Sequence, residues 1–167
     1  MSDIFLLLGG NEEGTGRAFD KATGMLSATV GVVVSLSSRY TSPPWGFEHP
    51  HWFLNQVVRM QTKLSPRELL LTTQAIEKQL GRASKTMDHY EGRLIDIDIL
   101  FVDGRIINFS ELTVPHPRLH LRRFTLLPLN ELSPGLVHPQ LNKTVEELLR
   151  VCPDRSEVRK VDQSFEP

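Results

Sequence analysis

The chain has 167 residues, 40% hydrophobic and 23% charged, with a formal net charge of −1. That length suits one domain with a hydrophobic core, and the balanced charge excludes a general nucleic-acid binder, which needs a basic excess. The one cysteine, Cys152, excludes an intrachain disulfide, and no apolar run is long enough to span a bilayer.

Ile4 to Leu8 is an apolar run ending at Gly9-Gly10 and predicts a strand buried on both faces. Ala18, Phe19, Ala22, Met25 and Leu26 recur at helical spacing between about Thr15 and Val30, with Gly31 placed to close that helix. The β-branched run Val32 to Ser38 predicts a second strand, and the proline-rich stretch Ser42 to Pro50 a long loop. Phe53 to Thr62 predicts a third strand, with Phe53, Asn55 and Val57 on one face and Leu54, Gln56 and Val58 on the other. Ser65-Pro66-Arg67-Glu68 then opens a helix through a capping box, with Leu69, Thr73, Ile76 and Leu80 as its buried stripe and Gly81 as its stop. Glu77 lies at the edge of that stripe, a place for a functional polar group.

Ile95 to Val102 and Arg105 to Asn108 predict a hairpin across Asp103-Gly104. A short helix near Leu126 to Leu132 and a last one opened by Thr144 and Glu147 follow. Cys152 then falls beside a helix end as an inert thiol. The order β-α-β-β-α-β gives the expected class: α+β, a ferredoxin-like sandwich with helices on one face of an antiparallel sheet. One domain over 1–167 is expected, its tail beyond about 153 flexible. The Met1-Ser2-Asp3 start lacks the basic region of a signal peptide, so a cytoplasmic monomer without membrane or nucleic-acid partners is expected.

The chemistry concentrates at Ile95-Asp96-Ile97-Asp98-Ile99. On a strand the isoleucines face a core while both carboxylates project from the other side. Adjacent carboxylates repel, and a hard divalent ion such as Mg²⁺, which takes one or two carboxylates plus substrate phosphates, relieves that repulsion. The same alternation also suits a plain solvated strand face. Arg93 and the cluster His116, Arg118, His120, Arg122 and Arg123 favour the phosphate reading, because a polyphosphate needs cations around it. Phe53 beside Asn55 on one strand face suits a flat heterocycle, by stacking and edge hydrogen bonds, and Trp45 and Phe47 could close over it. Gly9-Gly10-Asn11 lacks the Gly-Lys-Ser/Thr of a phosphate loop, and Pro117 between His116 and His120 breaks the zinc-protease pattern.

These pieces, in this order, resemble the 6-hydroxymethyl-7,8-dihydropterin pyrophosphokinase family from about Ile4 to Leu149. The residues carrying the resemblance are Leu8-Gly9-Gly10-Asn11, Ser42-Pro43-Pro44-Trp45-Gly46, Phe53-Leu54-Asn55, Gln74-Ala75-Ile76-Glu77, Gly81-Arg82, Arg93 to Asp98, Pro115 to Arg118 and Arg122-Arg123-Phe124. The resemblance implies transfer of pyrophosphate from ATP to the hydroxymethyl group of the reduced pterin, releasing AMP, in folate biosynthesis. It implies that Asp96 and Asp98 hold a pair of Mg²⁺ ions and that Phe53 and Phe124 sandwich the pterin, with Asn55, Ser42, Pro43 and Trp45 at its edge. Gln74, Glu77, Lys85, Ile99 and His116 would line the ATP side, and Arg82, Arg93 and Arg122 would meet phosphates. Asp96, Asp98, Arg82 and Arg93 are the implied catalytic set. Departures from the family pattern are Gly10 where serine is usual (read as a harmless backbone preference), Phe53 for tyrosine, and Lys85 and Tyr90 in a loop that usually holds a second arginine and a tryptophan. Two other readings use the same residues: a metal-dependent phosphohydrolase or nucleotidyltransferase, and a non-catalytic ferredoxin-like ligand-binding module.

Overall fold

The computed structural model describes residues 1–44, 51–81, 94–163 and 165. Strand β1 (Ser2–Gly10) pairs antiparallel on one side with β4 (Phe53–Thr62) and on the other with β5 (Asp96–Val102). β5 forms one edge of the sheet. On the far side of β4 lie β2 (Gly31–Leu36) and β3 (Arg39–Ser42), and β10 (Arg159–Val161) pairs with β3. β2 and β3 meet at Ser37, whose amide donates to the Val57 carbonyl while its hydroxyl accepts from the Val57 amide.

The apolar pentad of β1 explains the layering. Ile4, Leu6 and Leu8 pack with Ala18, Phe19, Ala22 and Leu26 of α1 (Thr15–Thr29) and Leu69 and Ile76 of α2 (Pro66–Gln79). Phe5 and Leu7 point the other way, against Leu126 and Leu129 of α3 (Arg123–Leu132) and Val145 and Leu148 of α4 (Val145–Val151). An antiparallel α+β sheet therefore carries helices on both faces, where one covered face was expected. A strand apolar on both sides needs both sides covered.

Local signals hold where their partners are local. Ser65 and Glu68 form the capping box of α2, and Thr144 and Glu147 that of α4. Gly81 follows α2 with φ +116°, a conformation that favours glycine. Cys152 is buried at the end of α4. Gly31 has a different role from the helix stop expected. Val30 ends α1, and a Cβ on Gly31 would lie 2.0 Å from the Gln61 carbonyl oxygen, so the glycine admits close strand packing.

Three further expectations change. Asp103-Gly104 does turn the chain, with the Arg105 amide donating to the Val102 carbonyl, but β6 (Ile107–Asn108) pairs with β7 (Thr113–Val114) and not with β5. Asp103 turns back to β1 instead, through reciprocal bonds with the backbone of Asp3. The tail after Pro153 supplies β10, and Arg39 donates to the Gln163 carbonyl behind it. Gly10 is required by close approach, since a Cβ there would lie 2.2 Å from the Leu94 carbonyl oxygen. β8 (Val137–His138) and β9 (Lys143–Thr144) form a small ladder before α4. Among the described residues, no helix is long and apolar enough to cross a membrane.

Candidate active site

The site opens where the core under α3 and α4 runs out. Along one face of β1 the side chains go from Phe5 and Leu7 to Gly9, which leaves space at that end of the sheet. Gly9 pairs with Asn55 on β4 and Asp96 on β5, and Leu7 pairs with Val57 and Asp98. One ladder therefore carries an amide and a carboxylate across a glycine, with the second carboxylate two residues on. The cavity, of about 210 Å³, is lined by Leu7, Gly9, Ser42, Pro43, Phe53, Asn55, Asp96, Asp98, Arg122 and Phe124.

Asn55 is buried, and its Nδ2 donates to the Tyr40 carbonyl at 3.2 Å and to Ser42 Oγ at 2.9 Å. A carbonyl can only accept, so it fixes the amide orientation and turns Oδ1 toward the cavity. Phe53 from β4 and Phe124 from α3 both line this space. Arg122 caps α3 and lies over the Phe124 ring, its guanidinium carbon 5.6 Å from the ring centre. Burial lowers its pKa, Asp98 opposes that shift, and Arg118 adds to it.

A second cavity, of about 290 Å³, adjoins the first and is lined by Leu70, Ile97, Asp98, Ile99, Ser110, Glu111, Leu112, Thr113, His116 and Pro117. Asp98 lines both cavities. His116 accepts from the Arg118 amide at Nδ1, which leaves the ring proton on Nε2. Burial pushes its pKa down to about 4, reinforced by Arg122 and Arg118, so the ring is neutral near pH 7.

The structure thus brings together Ser42, Pro43, Phe53, Asn55, Asp96, Asp98, Arg122 and Phe124 at one cavity, and Asp98, Ile99 and His116 at the other. Gln74 is exposed on α2 and lines neither. Glu77 also lines neither; it is buried and accepts from the Ile97 amide at 2.6 Å, holding β5 in place. Trp45, Phe47, Arg82, Lys85, Tyr90 and Arg93 lie outside the described residues. Gly9, Leu7, Ser110, Glu111 and Thr113 were missed as lining residues. The Phe5-Leu7-Gly9 taper is the signal that could have exposed Gly9.

The described residues hold no cluster of three or more His, Cys, Asp or Glu side chains suited to a metal. Two carboxylates of one strand face still fit Mg²⁺, which keeps its own waters and completes its shell with substrate phosphates.

Residues 5–134 match the family described as 7,8-dihydro-6-hydroxymethylpterin-pyrophosphokinase. A 2-amino-4-hydroxy-6-hydroxymethyldihydropteridine pyrophosphokinase of Porphyromonas gingivalis is 41% identical over 142 residues, covering 84% of this chain and 96% of that one. One from Methylorubrum extorquens is 38% identical over 138 residues, covering 82% and 86%. The Plasmodium falciparum HPPK-DHPS crystal structure with pteroate superimposes with a TM-score of 0.74 at 17% identity, a likeness of fold. It covers 89% of this chain and 44% of that one, so this chain spans under half of the larger protein. The family model and the curated relatives agree: the chain belongs to the 7,8-dihydro-6-hydroxymethylpterin-pyrophosphokinase family.

Proposed function

We propose that the two adjoining cavities are the pterin and ATP sites of one pyrophosphoryl transfer. As a family member, the chain is a pyrophosphokinase of folate biosynthesis, moving pyrophosphate from ATP to the 6-hydroxymethyl group of the reduced pterin and releasing AMP. The observation carrying the two-site assignment is Asp98, which borders both cavities, so donor and acceptor meet at this carboxylate.

Phe53 and Phe124 stack on the pterin faces, each contact worth about 1–3 kcal/mol by analogy with base stacking. Asn55 Oδ1 accepts from the pterin edge beside Ser42 and Pro43, and Trp45 is a further pterin-binding residue. Ile99 borders the nucleotide, while His116 donates from Nε2 to a phosphate oxygen without adding charge. Arg82, Arg93, Lys85 and Arg122 offset phosphate charge as the bond to the β-phosphorus breaks, Arg122 from the pterin side. Gln74 and Glu77 of α2 belong to the ATP side, and Glu77 also holds β5 through the Ile97 amide. Asp96 and Asp98 would hold a pair of Mg²⁺ ions. Bound there, magnesium neutralises phosphate charge and polarises the transferred group. Alignment and charge neutralisation carry this class of reaction, so no protein base is required. The hydroxymethyl proton passes to solvent or to a phosphate or carboxylate oxygen. The reading takes the chain as a cytoplasmic monomer with one domain over 1–167.

The test is an assay with Mg²⁺-ATP and 6-hydroxymethyl-7,8-dihydropterin, following AMP. AMP that appears only with the pterin supports the reading. ADP or inorganic phosphate marks a phosphohydrolase instead, and released pyrophosphate a nucleotidyltransferase.

A further inference from the structure

We propose that Glu131 is a positioning residue for the pterin, setting the gap between the sheet wall and the α3 wall of the first cavity. The inference rests on the pterin reading above. Glu131 lies near the end of α3, opposite the end that carries Arg122 and Phe124. Its Oε1 accepts from the Tyr40 hydroxyl at 2.6 Å, and its Oε2 accepts from the Ser38 amide at 2.9 Å and the Ser38 hydroxyl at 3.0 Å. Lys160 of β10 adds electrostatic attraction from beyond β3. Donors on β3 and on Ser38, the residue just before it, therefore converge on one carboxylate of one helix.

Both partners of this tie lead into the cavity. β3 continues from Tyr40 to Ser42, and the Tyr40 carbonyl and Ser42 hydroxyl orient Asn55. α3 delivers Phe124 to the opposite wall. β3 is held between β4 and β10, so it cannot shift without the sheet. What remains adjustable is α3 relative to β3, and the Glu131 carboxylate bridges the two. A helix displaced by a fraction of an ångström would open the stacking gap between Phe53 and Phe124, and dispersion contacts decay steeply with such gaps. Of the ATP-side residues, Ile99 and His116 lie on β5 and the segment after β7, outside the tie. Arg122 moves with α3, and because it meets phosphate charge only as the bond breaks, its displacement reads in kcat rather than in KM for ATP.

The experiment compares wild type with Glu131→Ala, Glu131→Gln and Tyr40→Phe, measuring KM for each substrate, kcat, and equilibrium affinity for the pterin. Loss of charge-assisted hydrogen bonds predicts a pterin KM and dissociation constant raised about tenfold in Glu131→Ala and about threefold in Tyr40→Phe. In the same variants KM for ATP stays within about twofold of wild type. Glu131→Gln, which keeps the length and one acceptor oxygen, recovers part of the pterin affinity. A folded Glu131→Ala protein with unchanged pterin affinity overturns the proposal, as does an equal rise in both KM values. If Glu131→Ala does not fold, Tyr40→Phe decides by the same split, since it keeps both Ser38 bonds. Wild type that makes no AMP from the pterin refutes the function instead, whereas active wild type with indifferent variants refutes only the role of Glu131.

Discussion

The Glu77 carboxylate on α2 accepts a 2.6 Å hydrogen bond from the backbone amide of Ile97, the residue between the two aspartates of β5. β5 is an edge strand, so this amide is directed to a side chain where a central strand would meet a neighbour. Glu77 thereby fixes the strand that presents Asp96 and Asp98. Glu77→Ala leaves a buried N–H without that acceptor and is expected to cost about 2 kcal/mol. Urea denaturation measures the loss, and an unchanged midpoint would remove Glu77 from this role.

Asp98→Asn is expected to lower kcat by about a hundredfold or more, because a carboxylate bordering both sites is exchanged for a neutral amide. The side chain is half-buried on a strand face that already holds Asp96, so thermal stability should change by less than about 0.5 kcal/mol. AMP production and a melting curve on one preparation separate the two effects. Full activity would return the aspartates to a solvated strand face.

Gly9→Leu tests the taper of β1. A Cβ on Gly9 would have Asn55 Oδ1 as its nearest neighbour, at 3.8 Å, so the strand tolerates a side chain while the cavity does not. Pterin affinity should fall at least about tenfold, with binding of an ATP analogue retained. Titration calorimetry with each ligand reads both, and loss of nucleotide binding alone would contradict the assignment of the cavities.

His116 has a pKa near 4 in the folded chain against 6.5 ordinarily. Between those values the unfolded chain binds a proton that the folded chain does not, so this residue makes stability fall as pH drops from about 6.5 toward 4. Above that window both states hold a neutral ring and the contribution is constant. The stability of wild type minus that of His116→Gln should therefore shrink on acidification from about pH 7 to about pH 4.5. The pH–rate profile should show no limb near pH 6.5 that the substitution removes. Denaturant melts across pH and the rate profile check the two statements separately.

Much of the candidate site was legible because its signals are short. The Ile95 to Ile99 alternation projects Asp96 and Asp98 from one face, and Phe53 and Asn55 share a side of β4 for the same reason. Glu77 was singled out, but a lone carboxylate on a helix edge does not reveal that its partner is an amide 20 residues on. Gly10 looked like an indifferent exchange for serine, since nothing nearby in the chain announces the approach of the Leu94 carbonyl.

The sequence by itself determined the elements whose causes lie within a few residues: the capping boxes at Ser65 and Thr144, the unbroken apolar β1, and the paired carboxylates of β5. Tertiary structure decided which strands pair and what covers them. Asp103-Gly104 makes a turn, yet β6 joins β7, because a turn reverses the chain without choosing its ladder partner. Arg159-Lys160-Val161 becomes a strand because β3 offers it an edge. α3 and α4 close the second face because Phe5, Leu7, Val57 and Phe101 cannot remain in water. Local conformation follows from torsional preference and caps, whereas pairing and burial are settled between residues far apart in the chain.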